Sequence, residues 1–349
     1  ISGSVGTPNF VGILPYIDEH VIPSIGPYAP SNQVGVMENP HVWMIWTNFV
    51  DELIPTIDYI IKEKGARTFG GISVRGDLVD DTRNGILGGL ALNGLPEENL
   101  VAMIPYDGGT TDFTGIAQEF KNSGADYLVF TMNSPDVPVL IRAVRAIGYD
   151  PGLSGISDLL DKSFVEEFGE LENGLIAPSK IANLETSDDP LVKEFVDAWV
   201  ADFGDTPSSW NTVGYAQARV TVEALQNAPA LTRDCLEYAL ENLTNFETGV
   251  IPPLTFGPNS RQGTRAVGLG MVTPDGVVTL RGFEEISTDV VVAAPACDVG
   301  GAAPGVTADT VKVGTTTPLT GPAGFAGVPA IDAQNWWFDK VNAAGGVQG

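Results

Sequence analysis

The stretch GADYLVFTMNSPDVPVLIRAVRAIGY, residues 124–149, decides the fold class. Its first part, 126–132, is a short apolar run that predicts a strand. Asn133, Ser134 and Pro135 break the run, and residues 136–147 continue with apolar side chains at helical spacing. A strand followed at once by an amphipathic helix is half of a βαβ unit, and the pattern recurs. Strands are expected at 68–74, 100–104, 126–132 and 311–317, with helices between them. Such alternation predicts parallel sheets with helices on both faces, an α/β fold of doubly wound lobes.

Working outward, residues 191–203 predict a helix, because Leu191, Phe195, Val196, Trp199, Val200 and Phe203 fall on one stripe. Its aromatics, Phe195, Trp199 and Phe203, are expected in the core and not in a binding site. Residues 269–273 and 277–281 read as a hairpin turned by Pro274, Asp275 and Gly276. Residues 288–310 break the rhythm with a short apolar run and a Gly/Ala/Pro-rich stretch, as in linkers and termini. A new strand–helix unit starts at Val311, and the first residues read as the interior of a folded domain.

At 349 residues, 43% hydrophobic and 18% charged, the chain is globular in composition and long enough for two lobes. Acidic residues number 44 against 18 basic ones, a net charge of −26. That surface repels phosphate backbones and anionic lipid, so neither nucleic acid nor a membrane surface is an expected partner. The acidity reads as a solubility adaptation and says little about a ligand. No apolar run is long enough for a transmembrane helix. Cys235 and Cys297 lack metal-ligand spacing. A disulfide is expected, either between them or with another partner.

Catalysis has little to stand on. The histidines, His20 and His41, lack the context of a triad or a metalloprotease helix. No glycine-rich phosphate loop follows a strand. The acidic run at 77–85 lacks the spacing of a calcium loop and reads as a solvated helix start. The chain is therefore expected to be no enzyme and to hold no cofactor and no metal.

Five segments carry a resemblance to a known family: GVTADTVKVGTTTPLTGPAGFAGVPAIDAQNWWFDKVNAAGGVQG (305–349), SGSVGTPNFVGILPYIDEHVIPSIGP (2–27), GGISVRGDLVDDTRNGILGGL (70–90), YDGGTTDFTGIAQEFKNSGADYLVFTMNSPDVPVLIRAVRAIGY (106–149) and IPPLTFGPNSRQGTRAVGLGMV (251–272). Together they resemble the branched-chain amino-acid-binding, type I periplasmic-binding proteins. The resemblance implies two α/β lobes joined by a hinge. Lobe 1 would comprise 298–349, 1–45 and 183–262, with one βα unit missing. Lobe 2 would comprise 46–182 and 263–287, with 288–310 as linker or terminus. Relative to the family, 298–349 stand after residues they should precede. Three accounts stay open: a window from a tandem chain, a rearranged or incomplete order, or a circular permutation.

The resemblance further implies a periplasmic or extracellular protein, secreted or anchored at the cell surface. It would bind a small solute, an amino acid or a related carboxylate or amide, in an interlobe cleft and deliver it to the membrane subunits of an ABC transporter. The alternative is a structural or adhesive protein built on the same fold, self-associating or in tandem. Ligands of open α/β sheets collect beyond the carboxyl ends of strands, where helix N-termini present N–H groups. Thr7 opens a helix after a strand and is a candidate for a ligand carboxylate, or else only a cap. By resemblance, Tyr28, Trp46 and Phe325 join it on the first lobe, and Leu78, Asn133 and Asp158, next to Ser157, on the second. Leu78 and Asn133 stand where the family's amino-acid readers carry tyrosines. Asp158 alone replaces the glutamate that pairs with a ligand ammonium.

Overall fold

The computed structural model describes residues 1–284, 296–301, 303–321 and 323–348. Of the expected linker at 288–310, residues 288–295 and 302 lie outside the described residues. The chain divides into two compact units. Unit 1 holds 1–47, 181–265 and the described part of 287–349; unit 2 holds 48–180 and the described part of 266–286.

In chain order, unit 1 begins with β1 (Ser2–Val5), α1 (Thr7–Glu19), β2 (Ser24–Tyr28) and β3 (Val42–Trp43). Unit 2 follows with α2 (Phe49–Lys64), β4 (Phe69–Val74), α3 (Leu78–Leu92), β5 (Leu100–Tyr106) and α4 (Thr114–Ser123). It continues through β6 (Tyr127–Thr131), α5 (Val137–Ala146), β7 (Gly152–Gly155), α6 (Lys162–Glu172) and β8 (Ile176–Ser179). The chain returns to unit 1 for α7 (Pro190–Phe203), α8 (Ser209–Asn227) and α9 (Arg233–Glu241). Hairpin β9 (Val267–Thr273) and β10 (Gly276–Glu284) belongs to unit 2, and α10 (Gly324–Ala343) to unit 1.

Unit 2 is built on one seven-stranded sheet, ordered β10-β9-β8-β7-β6-β4-β5. Its pairs are parallel except β8–β9 and β9–β10. Its strands are apolar on both faces because both faces are covered. Along β6, Leu128 and Phe130 pack with Phe120, Leu140 and Ile141, while Val129 packs with Leu53, Ile57 and Ile86 of α2 and α3. Asn48 caps α2, its side chain accepting from Asp51 N at 2.8 Å, and Gly65 ends it with φ 71°.

Unit 1 has a parallel three-stranded sheet, β1-β2-β3. The expected strand at 311–317 is not continuous. Thr316 makes a parallel bridge to Ser4, and Ser2 N and Val5 N donate to the carbonyls of Gly314 and Thr316. At the other end Val311 bridges Val306, and residues 312–316 between these contacts are exposed. Helix α10 packs closely on α8, and Gly214 makes that approach possible. A Cβ there would stand 1.9 Å from the Ala330 carbonyl oxygen. Between them, Gln334 Nε2 donates to Gln217 Oε1 (2.7 Å), and Gln217 Nε2 donates to Gly26 O (2.8 Å). These bonds satisfy amides buried beside the sheet.

The sequence expectation for 191–203 holds in part. Phe195 and Trp199 are buried, but Val200 and Phe203 are 40% and 51% exposed. They sit in the last turn of α7, beyond the surface that covers its middle. The disulfide joins Cys235, on α9, to Cys297.

Candidate functional site

In unit 1 the chain turns from β1 into α1 through Gly6, whose φ of 106° suits a residue without a Cβ. Thr7 is the first helical residue, no side chain caps the helix, and Pro8 removes one N–H. The end of α1 is thus a free donor end with a positive dipole. Gly6 N donates to Tyr28 O at 3.1 Å, which sets Thr7 beside the end of β2.

Tyr28 is 7% exposed and lies edge-on to Trp46 and to Trp210, with centroids 5.1 Å away in each case. Trp46 is 1% exposed and donates to Gly26 O at 3.3 Å, so it supports Tyr28 from the core. Phe325 is 48% exposed and meets Trp210 edge-on at 5.9 Å. Four aromatic rings therefore run from the core to the surface beyond β2. Trp210 links them and was missed from the sequence, where it follows the Ser208 cap as an ordinary helix-start residue. Its buried Nε1 has no hydrogen-bond partner among the described residues.

In unit 2 the expected residues lie at or next to the starts of helical elements. Leu78 opens α3 and is half-buried. Asn133 is exposed, and its Nδ2 donates to Asp136 Oδ2 at 3.3 Å. The same carboxylate oxygen accepts from Tyr106 OH (2.8 Å) and Gly109 N (3.1 Å), and the Tyr106 oxygen accepts from Asn133 N (3.0 Å). This network fixes the loops beyond β5 and β6. Burial, together with the Asp136 carboxylate, pushes the Tyr106 hydroxyl well above the usual tyrosine range. Asp158 lies half-buried in a 3-10 turn, Ser157–Leu160.

Beside that turn lies a feature the sequence reading did not pick out. Glu52 of α2 is fully buried and pairs with Lys180, 3% exposed, at 2.8 Å. Its other carboxylate oxygen faces Ser157 N at 3.4 Å, and the Lys180 ammonium stands 4.8 Å over the Phe49 ring. Burial raises the Glu52 carboxyl strongly, and Lys180 pulls it back down. An acid on the apolar stripe of a helix was the available signal, since Glu52 shares its face with Phe49, Leu53 and Thr56.

His41 Nδ1 lies 2.6 Å from Glu237 Oε1, and the His20 ring stacks on Tyr16. Among the described residues no group of histidine, cysteine or acidic side chains is arranged to hold a metal, and no helix is long and apolar enough to cross a membrane.

The sequence matches the model of a family described as "Periplasmic binding protein" over residues 1–276. A curated relative, "Leu/Ile/Val-binding protein homolog 7" of Brucella abortus (strain 2308), is 25% identical over 191 residues, 51% of this chain and 46% of the relative. The chain thus spans about half the length of the curated relatives it matches. Among solved structures, a "branched chain amino acid ABC transporter from Thermus thermophilus with bound valine" superposes with a TM-score of 0.71 at 16% identity, covering 81% of this chain and 77% of that one. A "fatty acid ABC transporter substrate-binding protein from Thermomonospora curvata" gives 0.71 at 17% identity, covering 81% and 74%. At such identities the superpositions establish the type I fold alone.

Proposed function

The chain belongs to the periplasmic binding protein family, and from that premise we propose that it binds a small carboxylate with an apolar chain, outside the cytoplasm, and passes it to an ABC transporter. The family is one of solute binders rather than catalysts. The observation that carries the ligand class is the uncapped start of α1 beside the aromatic series Tyr28, Trp210 and Phe325. Free N–H groups and the Thr7 hydroxyl suit a carboxylate, and ring faces suit an aliphatic or aromatic body. The two superposed proteins are named for valine and for fatty acid, both carboxylates on apolar chains.

Whether the ligand also carries an ammonium turns on unit 2. Asp158, by its resemblance position, is the acid proposed to meet it, while Glu52 pairs with Lys180.

The test is native mass spectrometry of the purified chain, then calorimetry with valine, its des-amino analogue isovalerate, and a medium-chain fatty acid. Binding of at least one is expected. Thr7→Ala should weaken it by about tenfold, the value of one hydrogen bond to a charged group, while circular dichroism stays unchanged. Asp158→Asn should weaken valine but not isovalerate. No binding across the panel sinks the ligand class, and an unchanged affinity in Thr7→Ala sinks the site.

A further inference from the structure

In unit 1, Tyr215 and Arg219 stand one turn apart on one face of α8. Trp337 of α10 and Phe246, which follows α9, close around them. The Arg219 guanidinium carbon lies 5.1 Å from the centre of the Trp337 ring, 5.7 Å from that of Tyr215 and 5.8 Å from that of Phe246. Arg219 Nη1 donates to Tyr215 OH at 2.8 Å. Ring contacts of this kind draw on the charge and leave the remaining N–H donors of the fork open.

Arg219 is half-buried, and among the described residues no carboxylate pairs with it. Acids are not scarce, since the chain carries 44 against 18 basic residues. Glu223, one turn further along α8, accepts from Asn227 Nδ2 instead, at 2.7 Å. Lys180, Arg261 and Lys340, buried or half-buried like Arg219, each pair with an acid. An independent observation comes from Trp337, which meets Tyr215 edge-on at 5.1 Å between ring centroids. Its Nε1 is buried and has no hydrogen-bond partner among the described residues. The Tyr215 hydroxyl is a third donor. Burial holds it above the usual tyrosine range, Arg219 pulls it down, and the exposed Glu194 adds to the rise. It therefore keeps its proton near neutrality and, having accepted from Arg219, can donate it.

A half-buried cation without a counter-charge and a covered N–H without an acceptor each cost free energy, and an anion removes both costs. The guanidinium fork matches the plane of a carboxylate, and the rings of Trp337 and Phe246 suit an apolar body. A phosphate, with more charge, would meet stronger repulsion from Glu194 and from the net charge of −26. We propose that Arg219, Tyr215 and Trp337 form a second seat on unit 1, for a small, singly charged carboxylate on an apolar body. The seat shares no residue with the Thr7 site, so the inference does not rest on the solute proposed above and survives if that reading fails.

The test is two-dimensional NMR of the indole N–H signals of the full chain, titrated with sodium benzoate at fixed ionic strength. The Trp337 signal is assigned through Trp337→Phe. A saturable shift of that signal is expected, and benzamide, the uncharged isostere, should bind about tenfold more weakly. Arg219→Gln should weaken benzoate by about tenfold. Arg219→Lys, which keeps the charge without the fork, should weaken it by about threefold, and it decides the matter if circular dichroism shows the glutamine variant misfolded. Thr7→Ala should leave the Trp337 shift within about twofold of wild type, which separates this seat from the solute site. Four outcomes overturn the proposal: no saturable shift at Trp337, benzamide binding as tightly as benzoate, unchanged affinity in the folded Arg219 variants, or a loss in Thr7→Ala equal to that in Arg219→Gln.

Discussion

Replacing Lys180 with methionine keeps most of the side-chain volume but leaves the Glu52 carboxyl without its cation in a fully buried position. Removing one member of a buried pair costs about 3–5 kcal/mol, because the survivor must stay desolvated and uncompensated or take up a proton. With Lys180 gone, burial alone acts on a carboxyl it already raises. The folded state then holds a proton that the unfolded chain releases in the ordinary carboxylate range. The defect is therefore smallest below that range and grows as pH rises through the raised folded value, by at most about 1.4 kcal/mol per pH unit. The assay needs care over its probe. All six tryptophans belong to unit 1, so indole fluorescence reports that unit, while the pair lies in unit 2. Urea unfolding followed by far-ultraviolet circular dichroism, at about pH 5 and about pH 8, reads the right part. The companion variant, Glu52→Leu with Lys180→Met, should recover most of the loss, since a well-packed apolar pair replaces buried charges at little cost. A single-variant loss below about 1 kcal/mol, or a double variant worse than the single, would refute the reasoning.

Two further outcomes follow from the same kind of accounting. Glu172 is fully buried, neither carboxyl oxygen has a hydrogen-bond partner among the described residues, and burial pushes it up to about 8 from 4.5. A raised folded value means stability present at low pH and lost as pH rises, so Glu172→Gln should flatten the stability curve between about pH 5 and pH 8 by on the order of 4 kcal/mol; an unchanged slope in urea unfolding would show that the carboxyl reaches water. The Cys235–Cys297 disulfide closes a separation of 62 residues. On loop entropy its reduction should cost about 4 kcal/mol, read as a drop in the unfolding midpoint of tryptophan fluorescence in reductant, with Cys235→Ser and Cys297→Ser as the double control. A drop of less than about 1 kcal/mol would mean that contacts, not the crosslink, hold the segment after residue 295.

The α/β alternation was legible because strands covered on both faces become apolar runs, as at Leu128, Val129 and Phe130. The same signal misled at 311–317, since a strand needs a continuous neighbour as well as composition, and this segment makes only isolated bridges, Val311 to Val306 and Thr316 to Ser4. The stripe on α7 was read as core to its end, but periodicity fixes a face and not the length along which a neighbour covers it. Phe203 therefore stands at the surface rather than in the core. Neither the partner of Cys235 nor the position of Trp210 has a local signature, because both depend on contacts between segments remote in sequence.

The site shows the same division more sharply. A resemblance can say which positions line up with ligand-binding ones, but it cannot say which acids are free to act. Glu52 reaches the turn that carries Asp158, and the Asp158 charge adds to the cost of ionising Glu52. Lys180 offsets that cost by pairing with Glu52, so the pair answers a local conflict of charge rather than serving as a net stabilising bridge. Buried ion pairs contribute little net stability against apolar replacements, which is why the double variant above should fold well. By the same logic that variant should retain affinity for the carboxylate ligand proposed above, with Thr7 as its proposed anchor, and alter only the discrimination proposed for Asp158.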